Sequence, residues 1–153
     1  GDGRFRRHDW TIKVDPDTAF LPWRLVEHLT SLPAAPGALG QYLLTGEGKL
    51  WGPIEVLSRR AAEVFAAGMG RCVAEIDRAG RGEDWFLHLC LDLLGAVGQP
   101  EPWLLNTGRR SRSSCNSSRA AFHPFKRPTV LLSCLRRAAL SSHEIRGIVR
   151  RKK

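Results

Sequence analysis

Two aspartates, Asp15 and Asp17, follow a short apolar run and are separated by one proline. In extended backbone, side chains two residues apart point to the same side of the chain, so the two carboxylates can converge on one point. Carboxylate pairs of this kind hold hard divalent cations such as Mg²⁺ or Mn²⁺. The alternative is a plain turn, because Asp-Pro-Asp-Thr is good turn sequence and Asp17 could cap a following helix.

The segments on either side of this pair have clear periodicity. Apolar and polar residues alternate from Trp10 to Val14, which predicts a half-buried strand that Pro16 should end. Leucines recur every four residues from Leu21 to Leu29, and Pro22 suits a first helical turn. The sequence therefore predicts a strand, an acidic turn and a helix in that order.

The middle of the chain alternates strand and helix signals. Gln41 to Thr45 reads as a strand, and a tight turn at 46–48 predicts a hairpin into residues 49–51. Residues 52–58 should be extended. Ser58 should cap the helix that follows, which we expect Gly68 and Gly70 to interrupt.

The third helix has the strongest signal. It spans Glu83 to Leu94, with acids in its first turn and Gly95 after its last leucine. Apolar residues cover most of its circumference, which predicts a buried helix. No regular hydrophobic periodicity is present from residue 99 to residue 118. A further amphipathic helix is expected over Val130 to Leu140.

Composition limits the class of protein. The chain has 153 residues, of which 42% are hydrophobic and 25% charged, typical of a globular domain. The net charge of +9 is concentrated late, since residues 109–153 carry 13 Lys and Arg against one acid, Glu144. None of the four cysteines forms a C-x-x-C pair, which argues against zinc, while disulfides and free thiols both remain open.

Four blocks in order resemble the GT-A glycosyltransferases of the Fringe-like and β-1,3-galactosyltransferase-like group. Residues 13–18 resemble the D-x-D motif, and residues 51–59 resemble a worn Gly-rich segment that ends in Leu-Ser. Glu83-Asp84 followed by Cys90-Leu91 resembles the Glu-Asp block, and residues 123–126 resemble the late histidine segment.

The resemblance implies a fold and a set of domains. The fold expected is an α/β, GT-A-like partial domain, with a mixed sheet, flanking helices and the N-terminal nucleotide-binding half missing. The partial domain would cover residues 10–140, including an Arg/Ser-rich loop at 106–119. Residues 1–9 would be a flexible lead-in, and residues 141–153 a basic tail.

The resemblance also implies roles for particular residues. Asp17 would be the main metal ligand, with Asp15 supporting it or contacting the nucleotide. His123 would be the late ligand to Mn²⁺ or Mg²⁺, and Lys126 would approach the donor diphosphate. Asp84 would be the general base of an inverting transfer.

Two further residues belong to the acceptor side by the same resemblance, Gly52 and Glu83. Single residues depart from the family pattern: Pro53 and Glu55 replace small or aromatic residues, and His88 replaces a glycine.

The reaction that the resemblance implies is hexose transfer from a nucleotide sugar, a UDP-sugar, to a glycan or glycoprotein acceptor. The full-length protein is expected in the Golgi or ER lumen, with membrane attachment only through a missing N-terminal anchor. A truncated or inactive relative of such an enzyme is also compatible with the sequence. The alternative is a non-catalytic module whose basic tail contacts nucleic acid or another polyanion. Nucleic acid is the less favoured partner, because the chain contains no nucleic-acid-binding motif.

Overall fold

A computed structural model describes residues 3–32, 39–46, 48–107 and 115–150, with side chains described as far as Ser141. The protein is a mixed α/β chain with two compact units. The first unit contains Gly1–Val14 and Pro33–Pro102, and the second contains Asp15–Leu32 and Trp103–Lys153. No described helix is long and apolar enough to span a bilayer.

The described elements, in chain order, are a 3₁₀ helix (Arg4–Arg7), β1 (Trp10–Val14), β2 (Ala19–Phe20), α1 (Pro22–Ser31), β3 (Gln41–Leu44), β4 (Ile54–Ser58), α2 (Arg59–Glu75), α3 (Glu83–Leu93), β5 (Val97–Pro100), β6 (Leu105–Thr107), β7 (Ala121–His123) and α4 (Pro128–Arg150). The predicted strand at Trp10–Val14 and the helices α1 and α3 are confirmed. The predicted last helix is also present, but it continues beyond Leu140 to Arg150. Residues 108–114 of the predicted Arg/Ser-rich loop at 106–119 lie outside the described residues, and so do residues 151–153. Residues 106–107 belong to β6.

The first unit is built on a four-stranded mixed sheet with the order β1-β4-β3-β5. β4 runs antiparallel to both of its neighbours, while β3 and β5 are parallel. Helices α2 and α3 pack beside this sheet, and one core cluster joins Tyr42, Leu57, Ala61 and Leu91. The apolar residues of successive strands and helices therefore meet in one core, as an α/β arrangement requires.

The tight hairpin predicted at residues 46–51 is wrong. The N–H of Gly46 donates to the carbonyl of Lys49 at 3.0 Å, and the Trp51 indole covers Gly46 so closely that a Cβ there would lie 2.6 Å from the ring. Trp51, moreover, forms an isolated bridge with Ile54 and not a ladder with β3. β3 therefore pairs with β4, where Tyr42 lies opposite Leu57.

The predicted interruption of α2 at Gly68 and Gly70 is also wrong, because the helix is continuous. A Cβ on Gly68 would lie 2.3 Å from the Leu94 side chain, so this glycine lets the end of α3 approach α2 closely. A disulfide between Cys72 and Cys90 joins the same two helices. The packing of α3 outweighs the low helix propensity of glycine.

Two local expectations have opposite outcomes. Ser58 caps α2 as predicted, because its Oγ accepts the N–H of Ala61 at 3.3 Å. α3 is less buried than predicted, since only Cys90 and Leu91 are fully enclosed.

In the stretch where the sequence shows no regular pattern, β5 and β6 are nevertheless present. Both are short strands that depend on their partners rather than on their own periodicity.

The second unit contains the three-stranded sheet β2-β7-β6, with β2 antiparallel and β6 parallel to β7. Its core is formed by buried residues from β2, β7, α4 and the segments beside them, including Leu21, Phe122 and Phe125. A disulfide joins Cys115 to Cys134 of α4. The cysteine question that the sequence left open is thus answered by two disulfides, with no free cysteine among the described residues.

A buried arginine holds this second unit together. Arg24, only 4% exposed, donates to the carbonyls of Ser117, Arg119 and Ala138 at 2.5, 2.8 and 2.6 Å. It also donates to the Ser141 hydroxyl at 3.1 Å. A single guanidinium therefore ties α1 to α4 and to the segment that enters β7.

We expect Arg24→Met to lower the free energy of unfolding by about 3 kcal/mol or more, because buried carbonyls would lose charged donors. Denaturant titration at neutral pH, with the disulfides intact, measures the change. The control is Arg127→Met, which removes an exposed arginine of the same unit and should shift the midpoint little. Equal stability of the two variants would contradict the role given to Arg24.

Candidate functional site

The Asp15–Thr18 segment is a turn, as the simpler sequence interpretation proposed. The Thr18 N–H donates to the Asp15 carbonyl at 3.0 Å, which closes a four-residue β-turn. Asp17 does not cap α1, which begins after Leu21 without a side-chain cap. The capping alternative is therefore wrong, and the Asp17 carboxylate is available for other contacts.

Strand pairing brings this turn to the end of β7. Ala19 lies opposite Phe122, and Phe20 lies opposite Ala121. Beyond the ladder, the Phe125 N–H donates to the Asp17 carbonyl at 2.9 Å. As a result, the Asp17 Oδ1 atom lies 3.3 Å from the Nε2 atom of His123.

Asp15 joins the same cluster. Ligand atoms of Asp15, Asp17 and His123 all lie within 4.8 Å of one another, and the three residues are partly buried. Among the described residues this is the one group of three such side chains placed closely enough to share an ion. Of the residues that the sequence associates with metal, all three are brought together.

The donor set fits a divalent cation. Two carboxylates and one imidazole offer oxygen and nitrogen ligands, which suit Mn²⁺ or Mg²⁺. Ligand atoms about 2.1 Å from an octahedral ion lie about 3.0 Å apart when adjacent and about 4.2 Å apart when opposite. The 3.3 Å between Asp17 and His123 is close to the adjacent spacing, and the 4.8 Å limit needs only small side-chain adjustments.

Lys126 places a positive charge beside the Asp17 carboxylate. Its Nζ atom lies 2.5 Å from Asp17 Oδ2, the carboxylate oxygen that does not face His123. This hydrogen bond lowers the pKa of Asp17, and the nearby His123 acts in the same direction. Asp17 is therefore held in the ionised form that metal ligation requires.

The remaining predicted residues lie in the first unit. Asp84 lies in the first turn of α3, and its Oδ2 atom accepts the N–H of Gly52 at 3.1 Å. Its Oδ1 atom accepts the N–H of Trp85 at 2.8 Å. Each carboxylate oxygen has a second lone pair, so Asp84 can accept one further proton donor while it holds the Gly52 loop.

The Lys13 ammonium contacts three polar groups in this part of the first unit. Lys13 lies directly opposite Glu55 in the β1–β4 ladder, and its Nζ atom is 3.3 Å from Glu55 Oε1. The same ammonium donates to the Gly52 carbonyl at 3.0 Å and forms a short ion pair with Glu83. Both main-chain polar groups of Gly52 are thus fixed, the N–H by Asp84 and the carbonyl by Lys13.

Glu55 is the most perturbed acid of this group. It is only 4% exposed, and burial raises its pKa to about 7. Lys13 opposes this shift, while the negative charges of Glu83 and Asp84 add to it. Glu83 behaves differently, because its hydrogen bond from Lys13 lowers its pKa.

His88, which stands where the resembled family has a glycine, packs against Tyr42. The Tyr42 hydroxyl donates to Asp92 Oδ1 at 2.6 Å and lies 3.2 Å from the Nδ1 atom of His88. Burial and the Asp92 carboxylate both raise the pKa of Tyr42. These contacts tie α3 to β3 and give His88 a structural role.

The structure places the sequence-predicted residues in two groups, each within one unit. Asp15, Asp17, His123 and Lys126 form one cluster in the second unit, and Gly52, Glu83 and Asp84 belong to the first. Sequence reasoning gave no role to Lys13 or Arg24 and treated Glu55 only as a departure from a family pattern. The one sequence signal for Lys13 was the alternation at Trp10–Val14, which places Lys13 on the polar face of a strand.

Comparison of the chain with models of protein families and with curated protein sequences finds no match.

The raised pKa of Glu55 predicts how stability depends on pH. The folded protein keeps a proton on Glu55 up to pH near 7, whereas the unfolded chain releases it near 4.5. This contribution is fully present below pH 4.5 and is lost as the pH rises through 7, by about 3 kcal/mol.

Glu55→Gln should remove that pH dependence. The measurement is the unfolding free energy of wild type and of the variant at pH 4.5 and at pH 7.5, and the wild type should lose about 3 kcal/mol more than the variant between the two. Glu75→Gln is the control, because Glu75 is an exposed acid at the end of α2. A wild-type and Glu55→Gln pair with parallel profiles would contradict the assignment.

Proposed function

We propose that the protein transfers a hexose from a nucleotide-sugar donor to an acceptor hydroxyl, as a metal-dependent glycosyltransferase of the GT-A type. The observation that carries the proposal is the approach of Asp17 to His123 across β2 and β7, with Asp15 beside them. Residues more than 100 positions apart in the sequence, and assigned to metal by the resemblance, lie in one cluster.

Asp15, Asp17 and His123 would hold the ion, which would be Mn²⁺ or Mg²⁺. A bound dication supplies Lewis-acid stabilisation to the diphosphate that leaves the sugar. The His123 Nε2 atom must be unprotonated to serve as a ligand, with its proton on Nδ1. The local turn and the short β2–β7 ladder position these three side chains before any ligand arrives.

Lys126 has the properties of a phosphate-binding residue. Its side chain is 74% exposed and contacts only one oxygen of Asp17. The ammonium can therefore exchange that oxygen for one of the donor diphosphate at little cost in burial. A nucleoside diphosphate sugar, such as a UDP-sugar, is the matching ligand class.

Asp84 would act as the general base. The acceptor oxygen attacks the anomeric carbon, the bond from that carbon to the diphosphate oxygen breaks, and the acceptor proton passes to Asp84. Attack opposite the leaving group inverts the anomeric centre. The helix start and the Gly52 N–H hold the carboxylate in place, and Gly52 and Glu83 would border the acceptor.

The two disulfides support the compartment inferred from the resemblance. Disulfides form and persist in oxidising compartments, including the secretory lumen. Cys72–Cys90 and Cys115–Cys134 account for all four cysteines of the chain. A location in the ER or Golgi lumen, where glycan and glycoprotein acceptors occur, is consistent with this chemistry.

Metal binding has a direct test. We expect Mn²⁺ together with UDP to raise the midpoint of thermal unfolding, because ligands that bind the native state stabilise it by mass action. Asp17→Asn should abolish the shift, since the neutral amide is a poorer ligand for a dication. Asp77→Asn is the control, because Asp77 is a loop residue of the first unit that contacts only its own turn.

An unchanged midpoint in the intact wild-type protein would count against the proposed function. In that case, binding of nucleic acid that weakens with salt and is lost on deletion of residues 141–153 would favour the basic-tail alternative.

Catalysis is tested separately through Asp84. We expect Asp84→Asn to reduce the release of UDP from UDP-galactose by at least about 100-fold, the usual effect of losing a general base. The Mn²⁺–UDP thermal shift should be retained, because the metal ligands are unchanged. Asp77→Asn is the matched control here too, because Asp77 lies in a loop of the first unit and contacts its own turn. A variant that keeps full turnover would show that Asp84 only holds the loop.

A further inference from the structure

Asn116 begins the tripeptide Asn-Ser-Ser, which has the pattern Asn-x-Ser/Thr with a residue other than proline in the middle. This pattern is the acceptor sequence for N-linked glycosylation. The other asparagine of the chain, Asn106, is followed by Thr107 and Gly108 and lacks a hydroxyl two positions on. The sequence thus contains one acceptor pattern and one natural negative control.

The position of Asn116 suits a glycan. Residues 115–118 form a turn outside the helices and strands, and both Asn116 and Ser118 are exposed. Surface loops are where accepted sequons lie, because the glycan is bulky and strongly hydrated. A sugar on this side chain would extend into solvent and would displace no core residue.

The turn is anchored through groups other than the Asn116 amide. Arg24 binds the carbonyls of Ser117 and Arg119, and Cys115 is joined to Cys134 by a disulfide. The contacts described for this turn therefore use main-chain carbonyls and sulfur. Glycosylation of the amide leaves each of them in place.

The cysteines supply the second, independent observation. Four of four are paired, which indicates folding in an oxidising compartment. In eukaryotic cells the lumen in which such disulfides form is also the lumen in which N-glycans are attached. A sequon in a chain that folds in such a lumen would be accessible to the transferase.

We propose that Asn116 is an N-glycosylation site. The transferred group is an oligosaccharide carried on a polyprenyl diphosphate. The Asn116 amide nitrogen forms a bond to the anomeric carbon of the first sugar, while the bond from that carbon to the diphosphate oxygen breaks. The polyprenyl diphosphate leaves with the electron pair, and the amide proton passes to a base of the host transferase.

This modification is independent of the proposed function. It concerns a glycan that the protein receives, whereas the proposed function concerns a sugar that the protein transfers. A protein that failed to bind Mn²⁺ and UDP could still carry the glycan. The two experiments therefore fail separately.

The test uses the full chain with a secretion signal, expressed in mammalian cells and recovered with its disulfides formed. Peptide N-glycosidase F should increase the electrophoretic mobility of the protein and convert Asn116 to Asp, which peptide mass spectrometry locates. Asn116→Gln and Ser118→Ala should abolish the change, whereas Ser118→Thr should preserve it. Asn106 should remain unmodified in every sample.

A secreted, disulfide-bonded wild-type chain that does not respond to the glycosidase would overturn the proposal. A glycosidase-sensitive Asn116→Gln variant would do the same. The Ser118→Ala and Ser118→Thr pair guards against misfolding, because Ser118 is exposed and both are small changes to its side chain.

Discussion

The candidate site depends on a strand pair only two residues long. Ala19 and Phe20 pair with Phe122 and Ala121, and two further main-chain hydrogen bonds extend the contact. Leu21 donates to Ala120, and Phe125 donates to Asp17, both at 2.9 Å. So short a ladder has little stability of its own, so the burial of its apolar side chains must hold it. The distance from Asp17 to His123 is therefore a consequence of core packing.

The elements that sequence predicts well are those set by local chemistry. The alternation at Trp10–Val14, the leucine repeat of α1 and the Ser58 cap each act within a few residues, and each is confirmed. The continuity of α2 is different. Gly68 reads as a break in isolation, but its missing side chain is what lets Leu94 approach the helix. Tertiary contact reverses the local preference there.

The residues of the candidate site also differ in whether the sequence can reveal them. The acid pair and the histidine can be picked out from sequence because a resemblance links distant motifs in order. The Lys13–Glu55 pair cannot, since only the β1–β4 register places the two side chains opposite each other. Arg24 also escapes prediction, because an arginine on an amphipathic helix ordinarily faces solvent. Three of its partners are main-chain carbonyls, which every residue carries, so the sequence does not identify them.

The two units relieve crowded negative charge in different ways. In the first, Lys13 lies among Glu55, Glu83 and the Gly52 carbonyl, and its ammonium is part of the structure. In the second, Lys126 contacts one oxygen of Asp17 from a largely exposed position.

An ammonium held by three partners is costly to displace, whereas an exposed one can move to another anion. Asp17 Oδ1 and His123 Nε2, moreover, already face each other at 3.3 Å without an intervening lysine. The second unit is therefore the one in which a lysine can leave its carboxylate with little loss of other contacts, beside three side chains that could hold an ion.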